Sequence, residues 1–118
     1  MMYGNKYHNH KTMCVHGHIH DSKKEASRCA ELHMLMWKGS IKNLVLQKEY
    51  VLIPAQKYPD MPSERKLSYI ADFVYMDNTT GRLIVEDTKG YKTHDYVMKR
   101  KLFKDKYCKS GLIVFRET

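Results

Sequence analysis

An α/β architecture, a small mixed β-sheet with helices packed against it, follows from three features of the sequence. Apolar residues alternate at period 2 near both ends of the chain and through its middle, which marks strands. Two segments are closed by a glycine, and the first also has capping residues in front, which marks helices. The polar run Asp77-Asn78-Thr79-Thr80-Gly81 separates two strand-like segments and reads as a hairpin turn.

The elements follow in order. Residues 13–20, MCVHGHIH, alternate as one short strand. Asp21 and Ser22 offer a helix cap, and Ser22 with Glu25 fits the Ser-x-x-Glu capping box. The helix they start spans 22–38 and stops near Gly39. Residues 41–53 are rich in branched and apolar side chains and give one long strand or two short ones. Pro54 through Pro62 is a loop. Residues 66–76 and 82–88 form the two arms of the hairpin. A second helix begins at Thr93 or His94 and runs to Lys109, Gly111 ends it, and residues 112–115 give the last strand. The whole reads as a single domain over residues 1–118, with residues 1–12 as a flexible N-terminal arm.

A length of 118 residues allows one modest core. Apolar residues make up 42% and charged residues 29%, the balance of a folded globular chain. No run of 18 apolar residues occurs, so no membrane span is expected. The start, MMYGNKYHNHK, lacks an apolar signal-peptide core. Cys14, Cys29 and Cys108 are odd in number and scattered, which fits a reduced, cytoplasmic setting. The formal charge of +8 is unevenly placed: residues 89–109 hold eight Lys/Arg against two Asp. Such a basic stretch suits a polyanion such as nucleic acid. A solvated basic face is the plainer account of the same residues.

The acids need closer reading. On a helical wheel Ala26, Cys29, Ala30, Leu32, Met36 and Trp37 form an apolar stripe, with His33 on it as a core or half-buried histidine. Glu25 falls on the edge of that stripe, where an isolated carboxylate is costly unless paired, protonated or metal-bound. The capping box is the structural alternative. Asp72, in Ile70-Ala71-Asp72-Phe73-Val74, is an aspartate inside a strand, and at period 2 it shares a face with Ile70 and Val74. In VEDTKG, Val85, Asp87 and Lys89 share one face, and Glu86 points the other way as a surface or salt-bridge residue. The hairpin brings Asp72 beside Asp87, and Glu25 can approach through packing of the first helix.

Two or three converging carboxylates repel one another unless a hard cation lies between them. Mg²⁺, with Mn²⁺ as a substitute, prefers such oxygen ligands. Asp72 and Asp87 would supply two of them, the Thr88 carbonyl a third, and Glu25 would hold a second metal. The cation would acidify a water and offset charge on a scissile phosphate. Lys89 would orient that water, help deprotonate it or stabilise developing charge. An ordinary salt-bridged strand end is the alternative for Asp87-Thr88-Lys89. On the second helix Tyr96, Phe103 and Tyr107 form a packing stripe, while Lys92, Lys99, Arg100 and Lys101 suit phosphate contacts that position a backbone without reading sequence. His8, His10, Cys14, His16, His18 and His20 are possible soft ligands. Their spacing matches no zinc-finger pattern, and one straight strand cannot wrap a tetrahedral ion.

The chain resembles the PD-(D/E)XK nuclease superfamily, and more closely its small phage and prophage members described as Holliday junction resolvases or endonuclease I-like enzymes. The resemblance runs through Asn5-Lys6-Tyr7, Asp21-Ser22-Lys23-Lys24-Glu25-Ala26, Leu46-Gln47, Ala71-Asp72-Phe73, Val85-Glu86-Asp87-Thr88-Lys89-Gly90 and Lys99-Arg100-Lys101-Leu102-Phe103. It departs at Ala71, where the name motif has proline, and at Asp87, where glutamate is commoner. It implies a restriction-endonuclease-like core and a catalytic set of Glu25, Asp72, Asp87 and Lys89. It also implies a Mg²⁺-dependent endonuclease acting on branched DNA such as a Holliday junction, for which paired cuts would suit a homodimer. The rival expectation is a non-catalytic nucleic-acid-binding module on the same fold.

Overall fold

The structure, a computed structural model, describes residues 22–118 together with the backbone of residues 12–13 and 19–20. Two short strands, β1 (Thr12–Met13) and β2 (Ile19–His20), pair antiparallel. The single strand expected over 13–20 is therefore not observed: its two ends belong to two antiparallel strands. Cys14, His16, His18, Asp21 and the arm before Thr12 lie outside the described residues.

Helix α1 (Lys23–Trp37) starts where Ser22 Oγ accepts the Glu25 N–H at 3.1 Å, and ends before Gly39, whose φ of 84° suits glycine. Ser22→Ala is expected to cost about 1 kcal/mol, read from the midpoint of urea unfolding. β3 (Ile41–Ile53), β4 (Leu67–Asp77), β5 (Leu83–Asp87) and β6 (Ile113–Glu117) form one sheet in the order β3-β4-β5-β6. The first two pairings are antiparallel and β5–β6 is parallel, so the sheet is mixed. Helix α2 (His94–Tyr107), capped by Thr93, lies in the crossover between the two parallel strands. No helix among the described residues is long and apolar enough to cross a membrane.

The helices cover opposite faces of the sheet. Ala26, Cys29 and Leu32 of α1 pack with Ile41, Phe73, Tyr75 and Ile84. Tyr96 and Phe103 of α2 pack with Tyr50, Leu52, Tyr69, Ala71, Val74 and Val85. Ile84 and Val85 are adjacent on β5 and fall into different clusters, as period 2 requires. Around Phe103 the rings of Tyr50, Tyr69, Tyr107 and Phe115 lie 5.1–5.9 Å away, so the stripe expected on α2 is a packing stripe.

Alternation on β3 breaks near its start, at Asn43 with φ 58°, and again in the middle of the β3–β4 pair. Leu44 and Leu46 pack with α1, yet Tyr50 and Leu52, also even-numbered, pack with α2. Between them sits Gln47 with φ 54°, a left-handed residue that turns the strand over. On β4 the matching slip falls between Ala71 and Val74, both in the α2 cluster although three residues apart. The pairs Leu46↔Phe73 and Lys48↔Ala71 place Gln47 opposite Asp72 at this break. The expectation that Asp72 shares one face with Ile70 and Val74 is thereby corrected: Ile70 is 54% exposed, while Val74 is core.

Two further expectations change. Met36 and Trp37 belong to no core, and Trp37 is 83% exposed, because the buried side of α1 centres on Cys29 and Leu32, with Leu35 of the last turn packed beside them, and Trp37 falls on the far flank of that arc. Glu86 does point away from Asp87, but it is fully buried rather than on the surface. It accepts Arg28 Nε at 2.5 Å, Arg28 Nη2 at 3.0 Å, the Tyr75 hydroxyl at 2.5 Å and the Thr118 hydroxyl at 3.1 Å.

Candidate functional site

The antiparallel register Phe73↔Glu86 sets Asp72 opposite Asp87 at the end of β5. Chain direction then lets Thr88 close on Asp72. The Thr88 N–H donates to Asp72 Oδ2 at 2.9 Å and its hydroxyl donates to the same oxygen at 3.0 Å. On the α2 face the hydroxyl of Tyr69 donates to Asp87 Oδ2 at 2.6 Å. The other oxygen, Asp87 Oδ1, is buried and receives no hydrogen bond from any described residue. Lys89 Nζ lies 3.6 Å from it, an ion-pair distance. That ammonium also sits 5.1 Å from the centre of the Tyr96 ring. The division of VEDTKG into Asp87 and Lys89 on one side and Glu86 on the other is the observed one.

Asp87 is fully buried, and the cost of burying its charge raises its pKa. The neighbouring Asp72 carboxyl raises it further, the Tyr69 hydroxyl and the Lys89 ammonium oppose, and the balance is a pKa pushed up to about 7. Burial and the facing Asp72 thus disfavour the charged form of Asp87, a cost that a cation at the pair would offset.

Glu25 is buried on the inner side of α1, and its Oε2 accepts Gln47 Nε2 at 3.1 Å. Since Gln47 lies opposite Asp72, its amide ties the helix acid to the break in the sheet. Among the described residues no group of three His, Cys, Asp or Glu side chains converges to hold a metal. The structure therefore gathers Asp72, Asp87, Thr88 and Lys89, and does not join Glu25 to them as a third ligand.

The basic residues expected at a phosphate backbone divide. Arg100 Nη1 donates to Glu117 Oε2 at 2.9 Å, and Lys92 lies 3.7 Å from Glu117 Oε1. Lys99 pairs with Asp95 at 3.6 Å, one helical turn away, and Lys101 is exposed. Lys106 is committed to the fold, donating to the Val51 carbonyl at 3.0 Å. Lys89 and Lys99, with Ser68, Tyr69, Ile70, Thr93, Asp95 and Tyr96, line an open cleft of about 310 Å³.

Tyr69, Tyr96 and Glu117 were not singled out as site residues by the sequence. Glu117 pairs with Asp87 across the parallel β5–β6 ladder. Burial works to raise its pKa, but the Tyr96 hydroxyl, which donates to it, and Arg100 hold it below the usual carboxylate range. The hydrophobic stripe of α2 already marked Tyr96 as inward-facing; its polar end carries the added role.

Over residues 4–116 the chain matches the model of a family described as "Protein of unknown function (DUF1064)", and it belongs to that family. No curated protein and no solved structure matches the chain.

Proposed function

We propose that the protein is a metal-dependent DNA endonuclease on a restriction-endonuclease-like core, hydrolysing backbone phosphodiesters of branched DNA such as Holliday junctions. One observation carries this reading: the paired Asp72 and Asp87, with a buried Asp87 oxygen that no donor reaches and a lysine 3.6 Å from it. Buried acceptors are almost always satisfied in native proteins, so an orphan carboxylate oxygen at a pair of acids fits a hard cation. Asp72 and Asp87 would hold Mg²⁺ or Mn²⁺ with the Thr88 carbonyl, while Glu25 stands behind Gln47. When bound, such a cation supplies Lewis acidity toward a phosphate and offsets the charge of both acids.

The remaining work falls to the chain itself. Lys89, held over the Tyr96 ring, places a positive charge beside Asp87 and offers N–H donors to a phosphate oxygen or an attacking water. The cleft running from Lys89 past Thr93 to Lys99 gives the adjoining backbone a path along α2. Lys101 is open to solvent, and Lys92 and Arg100 can exchange Glu117 for phosphate. A homodimer would present two such sites to a symmetric junction.

A second reading is a non-catalytic nucleic-acid-binding module. It is favoured by the internal partners of Asp72, both on Thr88, and by the lack of a third converging carboxylate among the described residues. Cleavage of linear, nicked, flap and four-way-junction DNA, titrated with Mg²⁺ or Mn²⁺, separates the two. The endonuclease is expected to cut only with metal and to prefer the junction. Asp87→Ala is expected to abolish cutting, and Lys89→Ala to slow it by about 10²–10⁴-fold. Metal-independent binding with no cutting on any substrate supports the module. Equal cutting by wild type and Asp87→Ala removes Asp87 from the site.

A further inference from the structure

We propose that Tyr69 is a positioning residue that decides which oxygen of Asp87 is offered to a cation. The inference rests on the endonuclease reading above and adds to it a residue outside the four expected to act. A carboxylate has two equivalent oxygens and turns readily about its last torsion, so a site built on one needs something to fix it. At Asp87 that fixing comes from one hydroxyl. Tyr69 Oη donates to Oδ2 at 2.6 Å, and this bond leaves Oδ1 as the oxygen without a donor. Lys89 Nζ is 3.6 Å from that same Oδ1, so the open oxygen is also the one facing the site's cationic side chain.

Tyr69 is itself well anchored. Its ring is buried and packs 5.4 Å from the ring of Phe103 and 6.1 Å from that of Phe115. It belongs to β4, the strand that also carries Asp72, so one strand supplies an acid and the clamp on the other acid. Leaving a buried carboxylate oxygen unsatisfied carries the desolvation penalty of that group. Oδ2 escapes that cost through Tyr69, and Oδ1 bears it until a cation arrives.

The test uses Mn²⁺ alone, without DNA, and reads free Mn²⁺ by electron paramagnetic resonance against wild type, Tyr69→Phe and Asp87→Asn. Tyr69→Phe keeps the ring contacts and removes the donor. It is expected to weaken Mn²⁺ binding by about 10-fold or more, the usual effect of losing a partner that orients a metal ligand. Replacement of Tyr69 by 4-aminophenylalanine, which keeps a donor at the same ring position, is expected to restore the affinity. It also carries the test if Tyr69→Phe folds poorly. Wild-type affinity in Tyr69→Phe overturns the role of Tyr69 and leaves the endonuclease reading intact. Unchanged Mn²⁺ binding in Asp87→Asn overturns the metal site itself, and with it both.

Discussion

Asp87→Asn is expected to make the metal-free protein more stable at about pH 8, by up to about 4 kcal/mol, and, under the proposed endonuclease function, to end DNA cleavage. The carboxyl has a folded-state pKa of about 7 against an ordinary value of 3.8, raised first by burial and then by Asp72. Between these values the folded chain binds a proton that the unfolded chain releases. The stabilisation linked to that proton is complete at the low end of the window, declines as pH rises, and is gone above about pH 7. Asparagine carries no such linkage. Its carbonyl can still accept from Tyr69, and its amide can donate to Asp72. The difference in melting temperature between Asp87→Asn and wild type should therefore be small near pH 4 and grow toward pH 8. Saturating Mg²⁺ should narrow it at high pH, since a ligand bound only to the folded state adds stability to wild type. A difference that stays flat from pH 4 to pH 8 would show that the acid pair is not strained by its own charge. Greater stability bought by loss of function is what a site of unneutralised acids predicts.

How far the sequence could be read follows from which contacts are local. The helix cap at Ser22 and the glycine stops depend on residues within a turn, and they stand as expected; of the two starting residues offered for α2, Thr93 is its cap and His94 its first residue. The split of Val85, Asp87 and Lys89 from Glu86 depends only on the strand period, and it also stands. Asp72 was placed correctly beside Asp87 because a short turn fixes the β4–β5 register. Its face was misjudged because a left-handed Gln47 on the partner strand resets the alternation, and nothing in Leu46-Gln47-Lys48 announces a positive φ. Trp37 was assigned to the stripe because a wheel cannot show which flank of an apolar arc the sheet covers; it covers the side of Leu32 and Leu35. Tyr69 and Glu117 act through partners 18 and 21 residues away, beyond any local pattern. Glu86 was read as a surface or salt-bridge residue; the salt bridge is present, but its partner, Arg28, is 58 residues distant, so no local pattern shows that the pair is buried.

That distant pair sets the second large effect. Arg28→Ala is expected to destabilise the fold by about 3–5 kcal/mol, because it leaves the fully buried Glu86 charged and short of its cation. Tyr75 and Thr118 would still donate to Glu86, but neither brings charge. Arg28 also fastens α1 to the sheet at the strand that ends in Asp87, so its loss loosens the helix that carries Glu25. The melting temperature should fall by roughly 10–20 °C. The double variant Arg28→Met with Glu86→Leu removes both charges and fills the space with apolar volume. It should recover most of the loss, as buried ion pairs replaced by packed hydrophobes often do. A double-mutant cycle in urea measures the coupling directly. The same double variant separates the two adjacent acids by function. If Glu86 serves the fold and Asp87 the chemistry, the refolded double variant still cuts DNA while Asp87→Asn does not. Loss of cutting in a double variant of wild-type stability would instead make the longer acid the working one.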